Sequence, residues 1–287
     1  DAHHPDLGAS VSSRIVMMPT SRGSCSGSGV LLDLALNGLA PAGLVFREAE
    51  ETLTLGAMVA ERVSARPVPV LRISPDLYTS LSQATRAEIS AGRLAWDGGA
   101  VDLARPDPEA LALTYADRAL LRGDAGPAAQ AAMEVLCAIA AGQGAPRLVD
   151  VSRGHIDGCI LAHPANLIFA EKLAAMGARV AIPTTTNAIS LDRENWRSQG
   201  MAEDFAACAR RLADAYLKMG ARPTFTCAPY LLDDPPARGE RLGWSESNAV
   251  VYANSVLGAR TAKHPDYLDL FVAMTGRAPC LDIHHDE

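Results

Sequence analysis

The stretch GSCSGSG, residues 23–29, sets Ser24 and Cys25 between an apolar run, RIVMMPT (14–20), and an apolar helical segment. Several chemistries compete for such a loop. A P-loop needs a lysine before its last Ser or Thr, and none stands here, so nucleotide hydrolysis is set aside. The dinucleotide pattern GxGxxG fails on spacing. Gly23-Ser24-Cys25-Ser26-Gly27 fits a strand–turn–helix nucleophile elbow with cysteine in place of serine. That reading makes Cys25 a thiolate acidified by the helix N-terminus. The same helix end can instead bind a carboxylate or ease deprotonation of Ser24, helped by the cation Arg22. The plain alternative is a glycine-rich turn and N-cap.

Four further stretches carry polar groups in suggestive places. His155 and Asp157 stand two apart after the apolar run RLVDV, where they can orient a substrate or pass a proton, or be loop residues. Thr184, Thr185, Thr186 and Asn187 follow RVAIP. Hydroxyls and an amide there suit carboxylate or hydroxyl recognition, and equally suit helix capping. Cys227 lies in TCAPY, which Pro229 keeps from being helical; a lone cysteine is otherwise a small core residue. In GWSESNAVVYANSVLGART (243–261), Glu246, Ser247 and Asn248 precede a helical run and Arg260 follows it. Together they form a carboxylate-binding set with a bidentate arginine, or an N-cap and a solvated charge.

These groups need a scaffold. The chain has 287 residues, 48% hydrophobic and 21% charged, with a formal net charge of -7, which is ordinary for a globular protein. No basic stripe with interleaved aromatics appears, which argues against nucleic acid as a partner. No apolar run approaches the ~20 residues of a membrane span. Six scattered cysteines without a CxxC read as reduced thiols in a cytoplasm.

The expected class is α/β. RIVMMPT, AGLVF (42–46) and PVPVLRI (67–73) read as strands, and Val30–Asn37 and Thr52–Val63 as helices. RLAWDGGAVDL resembles a hairpin about Asp97-Gly98-Gly99. A boundary near 105–110 divides the chain into 1–108 and 109–287. Beyond it, helices and strands alternate: AAQAAMEVLCAIAA then RLVDV, ANLIFAEKLAAMG then ARVAIP, and MAEDFAACARRLADAYLKMG then ARPTFTC. An echo, Ala175-Met176-Gly177-Ala178-Arg179 and Lys218-Met219-Gly220-Ala221-Arg222, ends two of these helices on a C′ glycine. Such units imply a mostly parallel sheet. Ligands then sit beyond the carboxyl ends of its strands, at HIDG, PTTTN and TCAPY.

Taken together, RGSCSGSGVLLDLALNGLAPAGLVF (22–46), HIDGC (155–159), GARVAIPTTTNA (177–188) through MGARPTFTCAPYLL (219–232), and ESNAVVYANSVLGART (246–261) resemble the aconitase X family. The resemblance implies a small swivelling β/α domain followed by the first part of a parallel-sheet catalytic region of aconitase-like type, in the order of the fused bacterial form. It implies a hydro-lyase whose iron–sulfur cluster ([2Fe–2S] or [4Fe–4S]), or iron, acts as Lewis acid on the departing hydroxyl. Ser24, following Gly23, takes the position of the family's base, and Cys227 that of a cluster ligand. Thr185, Asn187, Glu246, Ser247, Asn248, Arg260 and Arg22 then contact substrate, with His155 and Asp157 handling protons. Fused bacterial members dehydrate cis-3-hydroxy-L-proline to Δ1-pyrroline-2-carboxylate, and archaeal relatives dehydrate mevalonate 5-phosphate. GSCSGSG adds no cation for a phosphate, which favours the hydroxy amino acid. The rival from another class is a cysteine hydrolase or amidotransferase using Cys25. The abrupt DAHHP and IHHDE ends suggest that more large-region sequence, with the remaining cluster cysteines, completes the site.

Overall fold

The computed structural model describes residue 3, residues 6–64 and residues 66–285; most of DAHHP and the last two residues of IHHDE lie outside them. The first region runs β1 (Ile15–Met18), α1 (Gly27–Leu36), β2 (Gly43–Phe46), α2 (Thr52–Ser64) and β3 (Val70–Arg72). The strands pair in parallel in the order β1-β2-β3, and α1 and α2 supply the crossovers that parallel pairing requires. α3 (Pro75–Leu81) follows, with the Ser74 hydroxyl accepting the Leu77 N–H at 3.4 Å. β4 (Ala87–Ser90), β5 (Arg93–Trp96) and β6 (Gly99–Asp102) form an antiparallel sheet. The expected hairpin is there: Trp96 pairs with Gly99 across Asp97-Gly98. Asp97 is fastened by the Thr85 N–H and hydroxyl at 3.0 and 2.7 Å.

The second region begins with α4 (Tyr115–Leu121), opened by a Thr114–Asp117 capping box, and α5 (Pro127–Gln143). α5 starts on a proline and stops at left-handed Gly144, φ 78°, the asymmetry that helix ends favour. Then come β7 (Leu148–Asp150), β8 (Arg153–Ile156), α6 (Pro164–Ala175), β9 (Thr184–Thr186), α7 (Glu203–Lys218), β10 (Leu242–Trp244), α8 (Ser247–Tyr252), α9 (Leu268–Thr275) and β11 (Arg277–Pro279). β10, β8 and β9 form a parallel sheet in that order, while β11 pairs antiparallel with β7. The repeated glycines behave alike. Gly177 and Gly220 have φ of 83° and 101°, and the next amide in each case reaches back to the helix, Ala178 to Leu173 O at 3.0 Å and Ala221 to Tyr216 O at 3.2 Å.

Three expectations need correction. α1 begins at Gly27 rather than Val30, so the glycines of GSCSGSG enter the helix. ARVAIP is not a strand; its amides go to carbonyls at helix ends, Val180 to Met219 and Ala181 to Ala273, and the strand is TTT itself. ARPTFTC contributes only a bridge from Arg222 to Thr185. Pro223 offers no N–H, and Phe225 turns to φ 45°, which ends extended backbone.

One apolar core joins the two regions. Leu32, Ala35, Leu55 and Val59 of α1 and α2 pack in the same cluster as Val135, Phe169, Tyr267 and Phe271. Glycines make the approach possible. A Cβ on Gly56 would meet the Ser28 carbonyl oxygen at 2.8 Å and its Cα at 2.9 Å. A Cβ on Gly29 would meet the Tyr267 hydroxyl at 3.0 Å and Asn166 Oδ1 at 3.3 Å. α1 is therefore held between α2 and the second region, and the loop before it has one seat.

Candidate active site

That seat lies over the carboxyl end of the parallel sheet. β8, β9 and β10 end side by side, with His155 paired to both Thr185 and Trp244. The residues that follow them, Asp157, Asn187, Ser245 and Glu246, consequently emerge together. The Asn187 amide donates to Asp157 Oδ1 at 2.6 Å and to Glu246 Oε2 at 2.8 Å. Its own oxygen accepts the Ala188 N–H at 2.7 Å, which fixes the amide's orientation.

From the first region, the Cys25 thiol donates to Asp157 Oδ2 at 3.1 Å. The Cys25 carbonyl accepts the Asp266 N–H at 3.3 Å, and the Ser28 hydroxyl reaches the Cys25 and Asp266 carbonyls at 3.1 and 3.0 Å. Cys25 Sγ, an Asp157 oxygen and an Asp266 oxygen all lie within 4.8 Å of one another. Behind them, Asp269 accepts the Asp157 N–H at 2.6 Å and the Ser245 hydroxyl at 2.7 Å. Between the two acids Tyr267 holds φ 82°, a left-handed conformation that costs an aromatic residue of order 1–3 kcal/mol.

Burial and crowding set the protonation here. Burial, then Asp157, raises Asp266 to about 6. Burial, then Asp266, raises Asp269 to about 7. Burial, then Asp266 and Asp157, pushes the Cys25 thiol far up. This overturns the elbow reading: a nucleophilic cysteine needs an electropositive surrounding that favours the thiolate, and Cys25 is a neutral donor among acids.

Ser24 stands beside this group. It is exposed, and its hydroxyl lies 3.7 Å from Cys25 Sγ and 3.5 Å from the Ser26 N–H. Its carbonyl accepts the Gly27 N–H at 3.2 Å, so the side chain sits at the positive end of α1. Arg22 is exposed on the same loop and pairs with no acid among the described residues.

The other expected residues fall into separate groups. His155 is fully buried, with Nδ1 2.8 Å from the Thr185 hydroxyl, its ring edge on Trp244, and Nε2 without a partner. Burial lowers it to about 4, so it is neutral near pH 7. Thr185 also donates to the Gly154 carbonyl at 3.3 Å. Asn248 donates to the Cys227 carbonyl at 2.9 Å and faces the Tyr230 hydroxyl at 3.3 Å, tying TCAPY to α8. Ser247 opens α8 and is exposed. Arg260 does not join the group: its guanidinium is held by the His285 carbonyl at 2.6 Å.

Asp266, Asp269 and Ser245 were not anticipated as site residues. In DYLDLFVAM two acids three apart stand at the head of a helix whose every residue is buried, and it is this burial that sets them apart.

Cys227 is exposed and fits as one thiolate ligand of a cluster. Cys137, Cys159 and Cys280 are buried, and Cys25 is engaged with Asp157. Among the described residues no group of three potential ligands includes Cys227, so they do not complete a cluster site.

A small α/β unit whose glycine-rich loop closes over the carboxyl end of a parallel sheet defines an aconitase-like arrangement. Residues 1–95 match the aconitase X swivel domain and residues 110–287 the aconitase X first domain. The chain belongs to the aconitase X family. It is 48% identical over 294 residues to a cis-3-hydroxy-L-proline dehydratase of Pseudomonas aeruginosa, covering 100% of this chain and 50% of that protein. It is 44% identical to the Hypocrea jecorina protein of that name, covering 99% and 50%. A phosphomevalonate dehydratase large subunit of Methanothermobacter thermautotrophicus is 39% identical over 60% of this chain and 45% of its own length. The holo-form crystal structure of Thermococcus kodakaraensis aconitase X superimposes with a TM-score of 0.54 at 31% identity, over 61% of this chain and 44% of that one. The chain thus spans about half the length of the curated relatives it matches.

Proposed function

We propose that this chain forms part of a hydro-lyase that removes water from cis-3-hydroxy-L-proline, giving Δ1-pyrroline-2-carboxylate. The observation that carries the reading is likeness to two cis-3-hydroxy-L-proline dehydratases along the whole chain, loop and sheet alike. The site's chemistry agrees. Asp157, Asp266, Asp269 and Glu246 crowd one place and form no ion pair among the described residues, a field that repels the phosphate of mevalonate 5-phosphate.

In this reading Ser24 Oγ takes the proton from C2. The C–H electron pair closes the C2=C3 bond as the C3–O bond breaks, the hydroxyl leaves as water with a proton from the Glu246 carboxyl, and the enamine tautomerises. The field at the α1 N-terminus and the Arg22 cation make the serine alkoxide tolerable. Arg22 takes the substrate carboxylate. Asn187, held by Asp157, orients Glu246 toward the hydroxyl, and Thr185, Ser247 and Asn248 line the approach. His155, neutral and buried, positions Thr185 and does not relay a proton. Cys227 would contribute one thiolate to an iron–sulfur cluster, which when bound supplies a Lewis acid for the departing hydroxyl. Residues 1–108 serve as the swivelling part and 109–287 as the start of the catalytic region.

The test offers the full-length protein, purified anaerobically, the two substrates side by side. Pyrroline-carboxylate from cis-3-hydroxy-L-proline, with mevalonate 5-phosphate unchanged, is expected. Dehydration of the phosphate alone would overturn the reading.

A further inference from the structure

Asp266 is the unexplained group in this site. The residue is 6% exposed, and its Oδ1 has no hydrogen-bond partner. An oxygen of the same carboxyl lies within 4.8 Å of both Cys25 Sγ and the Asp157 carboxylate, so it faces into the cluster. A buried acceptor left without a donor costs free energy, and so does its neighbour's left-handed backbone. The cation acting on it is Lys263, an exposed residue and the weakest of the named influences. The Cys25 thiol also acts on this carboxyl as a donor, yet Oδ1 stays unpartnered, and a ligand carrying N–H donors and a positive charge would satisfy it.

We infer that Asp266 and Asp157 together form a subsite for the secondary ammonium of a cyclic amino acid, its two N–H groups bridging the two carboxyls beside Cys25. This rests on the amino-acid reading above and deepens it: the acids select a substrate that carries an amine. An ammonium fits better than a metal ion. The Cys25 thiol keeps its proton between the two acids, donating to Asp157 Oδ2 and acting on Asp266, whereas a metal takes the thiolate. Of the two ring carbons bonded to that nitrogen, C2 is the one from which Ser24, the residue before Cys25, is to take the proton.

The test uses the full-length protein and two probes of one shape, L-proline and (S)-tetrahydrofuran-2-carboxylate, which replaces the ring nitrogen by oxygen. Charge-assisted hydrogen bonds predict that L-proline binds about tenfold tighter or more. Asp266→Asn is expected to bring the two within about twofold, mainly by weakening L-proline. The variant also carries its own folding control. With Asp266 raised from 3.8 to about 6 by burial and Asp157, the folded state binds more protons than the unfolded state across that window. Ionisation there costs stability as pH rises. Asp266→Asn should therefore melt higher than the parent at pH 8, with the gap closing below pH 4. Cys25, Glu246 and Lys263, which also act on Asp266, are unchanged in the variant.

A wild-type ratio near one overturns the inference, and needs no variant. So does an Asp266→Asn protein that keeps the full preference, or a bound divalent metal lost with Asp266. Absent turnover of cis-3-hydroxy-L-proline with the L-proline preference intact would sink the proposed reaction and leave the subsite standing.

Discussion

Ser24→Ala is expected to lower kcat for cis-3-hydroxy-L-proline about a thousandfold, the contribution of a well-placed general base. KM should change little, because in the proposed mechanism the serine acts on a proton in flight while the carboxyls hold the substrate. The side chain is exposed and its one backbone hydrogen bond, to the Ser26 N–H, is long at 3.5 Å. Its loss should leave the melting temperature within the small range of surface substitutions. Cys25→Ala gives the contrast. It removes the thiol bond to Asp157 and loosens the loop's seat, so kcat falls through positioning and KM rises with it. A Ser24→Ala protein that turns over at the wild-type rate would remove the assigned base.

Arg277→Met is expected to destabilise the fold by about 3–5 kcal/mol, the cost of stripping one partner from a buried ion pair. Arg277 Nε lies 2.7 Å from Asp117 Oδ1, and its Nη2 donates to Asp117 Oδ2 at 3.0 Å and to the Leu148 carbonyl at 3.2 Å. It also pairs with Asp150. The Asp117 side chain is fully buried, while that of Asp150 is 91% exposed, so Asp117 bears the loss. Asp117 further accepts the Thr114 N–H at 2.8 Å as half of the α4 capping box. Arg277 stands two residues beyond α9, the helix that carries Asp269. Urea denaturation measures the effect. Adding Asp117→Asn to Arg277→Met should restore a substantial part, since no buried charge is then left alone. An unchanged unfolding midpoint for Arg277→Met would show that the pair carries no weight.

Local pattern made much of this molecule readable. The strand–helix–strand start, the Asp97-Gly98 hairpin, α5 to α7 and the two helix-ending glycines are set by periodicity and by φ, both written in neighbouring residues. The sheet's true register was not. Whether RVAIP or TTT pairs with β8 depends on carbonyls of Met219 and Ala273, far away in the chain. HIDG, PTTTN and ESN stood out because polar groups followed apolar runs, and the structure brings Asp157, Asn187 and Glu246 within hydrogen-bond reach. Asp266 and Asp269 escaped notice because acids at the head of a helix usually serve its N-terminus in water. Only the burial of the whole helix shows them to be something else. Arg260 drew attention by proximity to polar neighbours, yet the chain spends its guanidinium on the His285 carbonyl.

The glycines of GSCSGSG make sense in three dimensions. Gly23 turns at φ 120°, Gly29 lets α1 approach Tyr267, and the backbone of Ser28 needs Gly56 opposite it. Together they set Ser24 beside the carboxyl cluster. The proposed chemistry turns on that juxtaposition: a base from the small region against an amine held by acids of the large one. A crystal structure of the full-length protein with cis-3-hydroxy-L-proline bound tests it directly. The ring nitrogen is expected on Asp157 and Asp266 and C2 at roughly 3–3.5 Å from Ser24 Oγ, near-attack distance. A ring seated away from Ser24, with Asp266 still unpartnered, would contradict it.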